Sequence, residues 1–128
     1  MKCVSERGQS IIEFALVLPI ILLLVMGTID FGMFFMTKSQ VEAASEAGAR
    51  EFALNSSLTA TQLATSLAAE FPGLQNLTVD NPATSGSNPA VGTVTVHATY
   101  SFLTPVIEAF FGQRRVTITS TTSMVEEQ

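Results

Sequence analysis

Apolar residues fill almost every position from Ile11 to Met36, IIEFALVLPIILLLVMGTIDFGMFFM, and only two charges, Glu13 and Asp30, interrupt them. Such a run reads as one membrane-spanning helix. At about 1.5 Å per residue, the stretch from Phe14 to Met36 reaches roughly 35 Å, enough to cross a hydrocarbon core of about 30 Å. From Thr37 to Leu54 the pattern turns amphipathic: Val41, Ala44, Gly48 and Phe52 recur at i, i+3, i+7 and i+11, and Glu46 and Arg50 stand four apart on another face. The helix is predicted to continue unbroken. Its apolar face is built from small residues, Ala43, Ala44, Ala47, Gly48 and Ala49, which admit a close backbone neighbour. That neighbour is either this chain's own sheet or another helix in an assembly.

Beyond Leu54 the periodicity shortens. Asn55-Ser56-Ser57 ends the first helix, and Thr59 with Gln62 three residues on forms a capping box for a second, running to about Glu70 with Leu63, Leu67 and Phe71 as its stripe. Pro72-Gly73 stops it. Leu77 to Asp80 reads as a short strand, and residues 81–90, NPATSGSNPA, as a turn-rich surface loop. Val94, Val96, Ala98, Tyr100 and Phe102 then alternate with Thr93, Thr95, His97, Thr99 and Ser101, which predicts a half-buried strand. Thr104-Pro105 and Gly112 bracket a short helix, VIEAFF, whose Val106, Ile107, Phe110 and Phe111 either close the end of the core or form an exposed patch. Arg115 to Val125 is a third strand, with Val116, Ile118 and Met124 on one face.

Composition excludes several functions. A net charge of −5 is the wrong sign for a protein that neutralises phosphates, so nucleic acid is not an expected partner. Cys3, the one cysteine, allows no internal disulfide, and with only Met1 and Lys2 before it, lacks the apolar region a lipoprotein signal needs. His97 is the one histidine, and neither a cysteine nor an acid lies close to it in sequence. No catalytic constellation, metal-ligand cluster or GxxxxGK[ST] phosphate loop is visible, so no enzyme activity, metal or cofactor is expected.

The start of the apolar run carries the sharper signal. Lys2 and Arg7 precede it, which favours a cytoplasmic N-terminus. Gly8 follows, a residue easily held extended in a protease cleft. A secretory signal is cut after its apolar region, whereas the candidate site here lies before it. Glu13 stands a turn into the helix, where a carboxylate costs about 2.5–3.5 kcal/mol and needs a partner or a task. Pro19 removes a helical N–H and frees the carbonyl of Ala15, which predicts a kink or loosened turn: a flex point for repacking, or an ordinary membrane proline. Asp30 lies about 25 Å beyond Glu13, near the outer headgroups. There it is expected to reach water, the alternative being an inter-subunit contact.

Gly8, four residues, then Glu13 and Phe14 resemble the prepilin-type leader of the tight-adherence (Tad, or Flp) branch, and the continuation ALVLPIILLLVMGTIDFG with AASEAGAR from Ala43 to Arg50 is similar to the TadE-like family. That family comprises minor pseudopilins. The resemblance implies cleavage by a prepilin peptidase between Gly8 and Gln9, recognition and assembly through Glu13 and Phe14, and partners among the other pilins and pseudopilins of the system. Major Flp pilins are much shorter than 128 residues, so an accessory subunit is implied. Cleavage would leave the exported part at −6 by side-chain count, since Lys2, Glu6 and Arg7 are lost. The organisation implied is residues 1–8 as leader, 9–37 as transmembrane helix and 38–128 as an extracytoplasmic α+β head, pilin-like, with a second helix and an antiparallel sheet of about three strands. The expected location is the inner membrane, single-pass. The rival reading is an uncleaved membrane-anchored envelope domain that binds a partner or ligand; it has no need of Gly8 and Glu13 at that spacing.

Overall fold

The computed structural model describes the backbone of residues 5–126, together with the side chains in that range except those of residues 5–7, 106, 110 and 111. The fold is α+β, a long apolar N-terminal helix joined to a head of two further helices and a four-stranded antiparallel sheet. Helix α1 (Ser5–Leu54) runs fifty residues and passes through Pro19 without interruption. Its best eighteen-residue window has a mean hydropathy of 2.5 and is wholly unburied by the rest of the chain, as a candidate membrane span should be. Helix α2 (Ala60–Glu70) opens on the capping box: Gln62 N–H donates to Thr59 Oγ1 at 3.4 Å, and Thr59 N–H donates to Gln62 Oε1 at 3.0 Å.

Strand β3 (Val91–Ser101) is the middle of the sheet. Strand β4 (Arg115–Val125) pairs along its whole length, from Val91 opposite Val125 to Ser101 opposite Arg115. The other side is shared by β1 (Gln75–Val79), which pairs with the second half of β3, and β2 (Ala83–Ser85), which pairs with the first. Short helix α3 (Pro105–Phe111) links β3 to β4 and ends on Gly112, whose φ of +70° is the left-handed cap that glycine tolerates. Strand β2 is the element that the residue pattern misses. Ala-Thr-Ser has no apolar alternation and all three residues are exposed, so only backbone pairing with β3 defines it.

One face of the sheet packs on α1 and α2. Val94, Val96, Ala98 and Tyr100 of β3 meet Val41, Ala44, Ala49 and Phe52 of α1 and Leu63 and Leu67 of α2 in one buried cluster, each large side chain contributing about 1.5–3 kcal/mol. Of the two readings for the small-residue face, the chain's own sheet is the neighbour for its inner half. A Cβ added at Gly48 would lie 3.1 Å from Leu67 Cδ1 and 3.2 Å from Val94 Cγ1, while Ala43 is exposed. Strand β3 runs back down α1: Gly92 abuts Phe52, Val94 abuts Gly48, and Tyr100 and Phe102 stack around Phe34 at 5.8 and 5.9 Å. The sheet therefore reaches toward the apolar span.

Strand β4 departs from expectation on its inner face. Ile118 is buried, but Ser120 and Thr122 turn inward and Val116 is 37% exposed. The inward hydroxyls are matched by Ser45, fully buried on α1, whose Oγ donates to the Glu42 carbonyl at 2.8 Å and lies within hydrogen-bond distance of Ser120 Oγ (2.9 Å) and Thr122 Oγ1 (2.7 Å). A buried hydroxyl stays affordable only when bonded, so this trio fixes the sheet's position along α1.

Candidate functional site

The first turns of α1 hold the residues singled out for processing and assembly. Gly8, Gln9, Glu13 and Phe14 are all exposed, Phe14 at 63%, and a Cβ added at Gly8 would meet nothing within 4 Å among the described residues. The Gly8–Gln9 peptide lies on α1, near the start of the described residues. Gln9 and Glu13 share a face, with Gln9 Nε2 donating to Glu13 Oε1 at 3.4 Å. The leader residues Met1 to Val4, among them Lys2 and Cys3, lie outside the described residues. Pro19 sits in the exposed apolar stretch, on an unbroken helix, with the carbonyl of Ala15 losing its usual donor.

Asp30 corrects the sequence reading. It is 1% exposed and faces neither water nor a second subunit: its carboxylate accepts from Leu103 N–H at 3.2 Å, from Thr104 N–H at 2.9 Å and from the Thr104 hydroxyl, all in this chain. The Tyr100 hydroxyl donates to the Asp30 backbone carbonyl at 3.4 Å. Asp30 therefore clamps the β3–α3 connection to the helix at the upper end of the apolar run. Charge-assisted bonds of this kind are roughly twice as strong as neutral ones, which is how a carboxylate can be kept out of water here. The signal was present in the sequence. Stepping back from Val41 at helical spacing gives Thr37, Phe34 and Asp30, so the head-facing stripe already contained the acid.

Burial of Tyr100, and then the nearby Asp30 carboxylate, push the phenol upward from its ordinary ionisation range. The clamp is thus a closed polar unit within an aromatic cluster of Phe34, Tyr100 and Phe102.

His97 also gains partners that its sequence neighbourhood lacked. Asp80 Oδ2 lies 3.0 Å from its Nε2, and Thr119 Oγ1 lies 2.7 Å from its Nδ1, the acid arriving from just past β1. The order acid, imidazole, hydroxyl is that of a nucleophile relay, but it lies on the outer Thr-rich face and Asp80 is 65% exposed. Solvent screens such a pair. Thr93 with Ser123 and Thr95 with Thr121 form the same cross-strand hydroxyl contacts at 2.9 Å, so His97 is one rung of a ladder.

The candidate residues Gly8, Gln9, Glu13, Phe14 and Pro19 and the clamp residue Asp30 all lie in the first fifty residues. That stretch is similar to the TadE-like family. The family model described as TadE-like protein matches residues 8–50, beginning at Gly8 and including Glu13, Phe14, Pro19, Asp30 and the Ala43–Arg50 segment. The likeness suggests involvement in the Tad pilus system, and with the apolar helix it suggests membrane anchoring. No curated protein and no solved structure matches the chain. The TadE-like match stops before α2, so it describes the helix and none of the sheet.

Proposed function

We propose that the chain is a minor pseudopilin of a Tad (Flp-type) pilus. Helix α1 anchors it in the inner membrane with the N-terminus cytoplasmic and the head outside. A prepilin peptidase cuts between Gly8 and Gln9, and the trimmed helix packs with other pilins and pseudopilins. The role is structural and carries no catalysis. The observation that carries this reading is the TadE-like match starting at Gly8, with Glu13 and Phe14 following at the spacing of a prepilin leader. Exposure of all faces of α1 from Gly8 through Met26 supports it, since a helix that exchanges lipid for neighbouring helices needs its surface free.

Glu13 has a task in this scheme. Cutting frees an amine on Gln9, one turn below Glu13 on the same face, and a small axial offset between adjacent helices lets the amine of one subunit meet the carboxylate of the next. The pair offsets the desolvation of both groups and sets register. The decisive experiment is intact-mass analysis of the protein from native membranes of cells that possess the peptidase. The expected mass begins at Gln9; retention of residues 1–8 sinks the processing reading and favours the uncleaved anchor. Gly8→Trp should block the cut, because side-chain volume there clashes in the protease cleft. A reporter fused after Gln128 should be active only outside the cytoplasm.

A further inference from the structure

The end of the head nearest the span is apolar on its outside. Leu103 is 68% exposed, Phe31 is 57% exposed, and Ile107 on α3 is half-buried. Phe31 and Ile107, with Phe34, Phe102 and Val116, line an open cleft of about 440 Å³ to which Gln113 adds the polar side chain. Arg114 and Arg115 follow directly, and they are two of the four basic residues beyond Gly8 in a chain of net charge −5. Arg114 Nε bridges to Glu108 Oε2 at 2.9 Å.

The heights of these groups can be read along α1. The Asp30 carboxylate holds Leu103 and Thr104, so the start of α3 is level with Asp30. The stretch from Ile11 to Ile29, exposed except at half-buried Gly27, measures about 28 Å as helix, which fills a hydrocarbon core of about 30 Å. Leu103 therefore stands where hydrocarbon gives way to headgroups. Phe102 N–H donates to the Arg114 carbonyl at 2.9 Å, and Phe102 stacks on Phe34, one turn above Asp30. That places the arginines roughly 5–6 Å farther out, within a headgroup layer of about 5–7 Å. Apolar side chains at the hydrocarbon edge with guanidinium groups one turn above them match a phospholipid surface in both chemistry and spacing.

We propose that this end of the head is a membrane foot. Phe31, Leu103 and Ile107 enter the edge of the leaflet on the head's side, and Arg115, with Arg114 bridged to Glu108, meets the phosphates of anionic phospholipid. The proposal rests on α1 spanning the same bilayer. The head then stands on the membrane through two contacts, α1 and the foot, and leaving the bilayer for a filament requires both to release.

The test uses the full chain with Cys3→Ser, carrying one nitroxide label at Leu103→Cys, Leu22→Cys or Ser87→Cys, in nanodiscs of phosphatidylcholine with or without phosphatidylglycerol. Collisions with dissolved oxygen are compared with those of a water-soluble nickel chelate. The foot requires oxygen to dominate at 22 and 103 and the chelate at 87. Chelate access at 103 with oxygen dominant at 22 overturns the foot and leaves the span intact. A label at 103 shielded from both reagents means that protein covers the surface, and also overturns it. Chelate access at 22 removes the span and the foot together. In discs with phosphatidylglycerol, Arg115→Gln should shift the docked-to-lifted ratio about fivefold, equivalent to about 1 kcal/mol for one charge at an anionic surface. An unchanged ratio removes the arginine contact with lipid phosphate.

Discussion

Replacing Asp30 with alanine tests the clamp at its centre. The carboxylate accepts from two backbone N–H groups and one hydroxyl, each bond to a charged group being worth about 1.5–3 kcal/mol. The terms do not add, because water enters part of the vacated space and the alanine chain no longer buries a charge. A loss of about 3–5 kcal/mol is the reasonable total for breaking a buried charged network. A head of this size has roughly 5–13 kcal/mol of stability in all, so the loss is a large fraction of it. Tyr100 is the one tyrosine, there is no tryptophan, and its hydroxyl contacts the Asp30 carbonyl, so its emission reports the site directly. In detergent micelles, where α1 stays helical, urea titration of the full chain follows the head alone. With a slope near 2 kcal/mol per molar urea, the Asp30→Ala midpoint should fall by about 2 M. Asp30→Asn keeps an acceptor and should fall less. An Asp30→Ala midpoint equal to wild type would refute the clamp.

Glu13→Gln should leave expression, insertion and cleavage largely intact but impair pilus assembly or co-purification with other pilins; normal piliation with the variant present at wild-type level removes Glu13 from the mechanism. Gly92→Ala places a Cβ 2.7 Å from Cδ1 of the buried Phe52 ring and should cost about 1–3 kcal/mol in the same urea titration, an unchanged midpoint showing that the ring moves freely. Tyr100 should ionise above its unfolded value near 10, read by ultraviolet absorbance, and Asp30→Asn should lower the midpoint while burial keeps it raised. Because the folded phenol holds its proton more tightly, its contribution to stability is full below the unfolded pKa and fades as pH rises through the folded one. A folded midpoint equal to that of the urea-unfolded chain counts against this environment for Tyr100.

Where a signal was local, the residues disclosed the structure. Thr59 and Gln62 opened α2, Thr104-Pro105 and Gly112 bracketed α3, and the period-two run gave β3 with its correct buried face. Elements defined by partners were not legible. Strand β2 exists through pairing with β3, the inward turn of Ser120 and Thr122 through Ser45, and the partners of His97 through the approach of Asp80. The Asp30 clamp falls between these cases. Its position on the head-facing stripe was readable, but its donors come from residues 73 and 74 positions away, which only the fold brings together. The core-closing role considered for Val106, Phe110 and Phe111 concerns side chains outside the described residues.

The change in pattern along α1 divides its labour, and Asp30 stands at the division. Below it, from Gly8 to Met26, every face is left free by the described residues, as a candidate membrane span should be. Above it, one stripe through Phe34, Val41, Ala44, Gly48 and Phe52 is committed to the head. Glu13 and Asp30 are seventeen residues apart on an uninterrupted helix, about 25 Å. If an amine of the next subunit fixes Glu13, that offset fixes the height of Asp30, and the clamp passes it to α3 and the sheet. Under the proposed function, an axial register set at Glu13 becomes the vertical register of neighbouring heads. Pro19 lies between Glu13 and Asp30 without breaking the helix, and Ser45 bonds the sheet to α1 farther up. Loosening the clamp should therefore disturb contacts between heads while leaving the pairing at Glu13 in place.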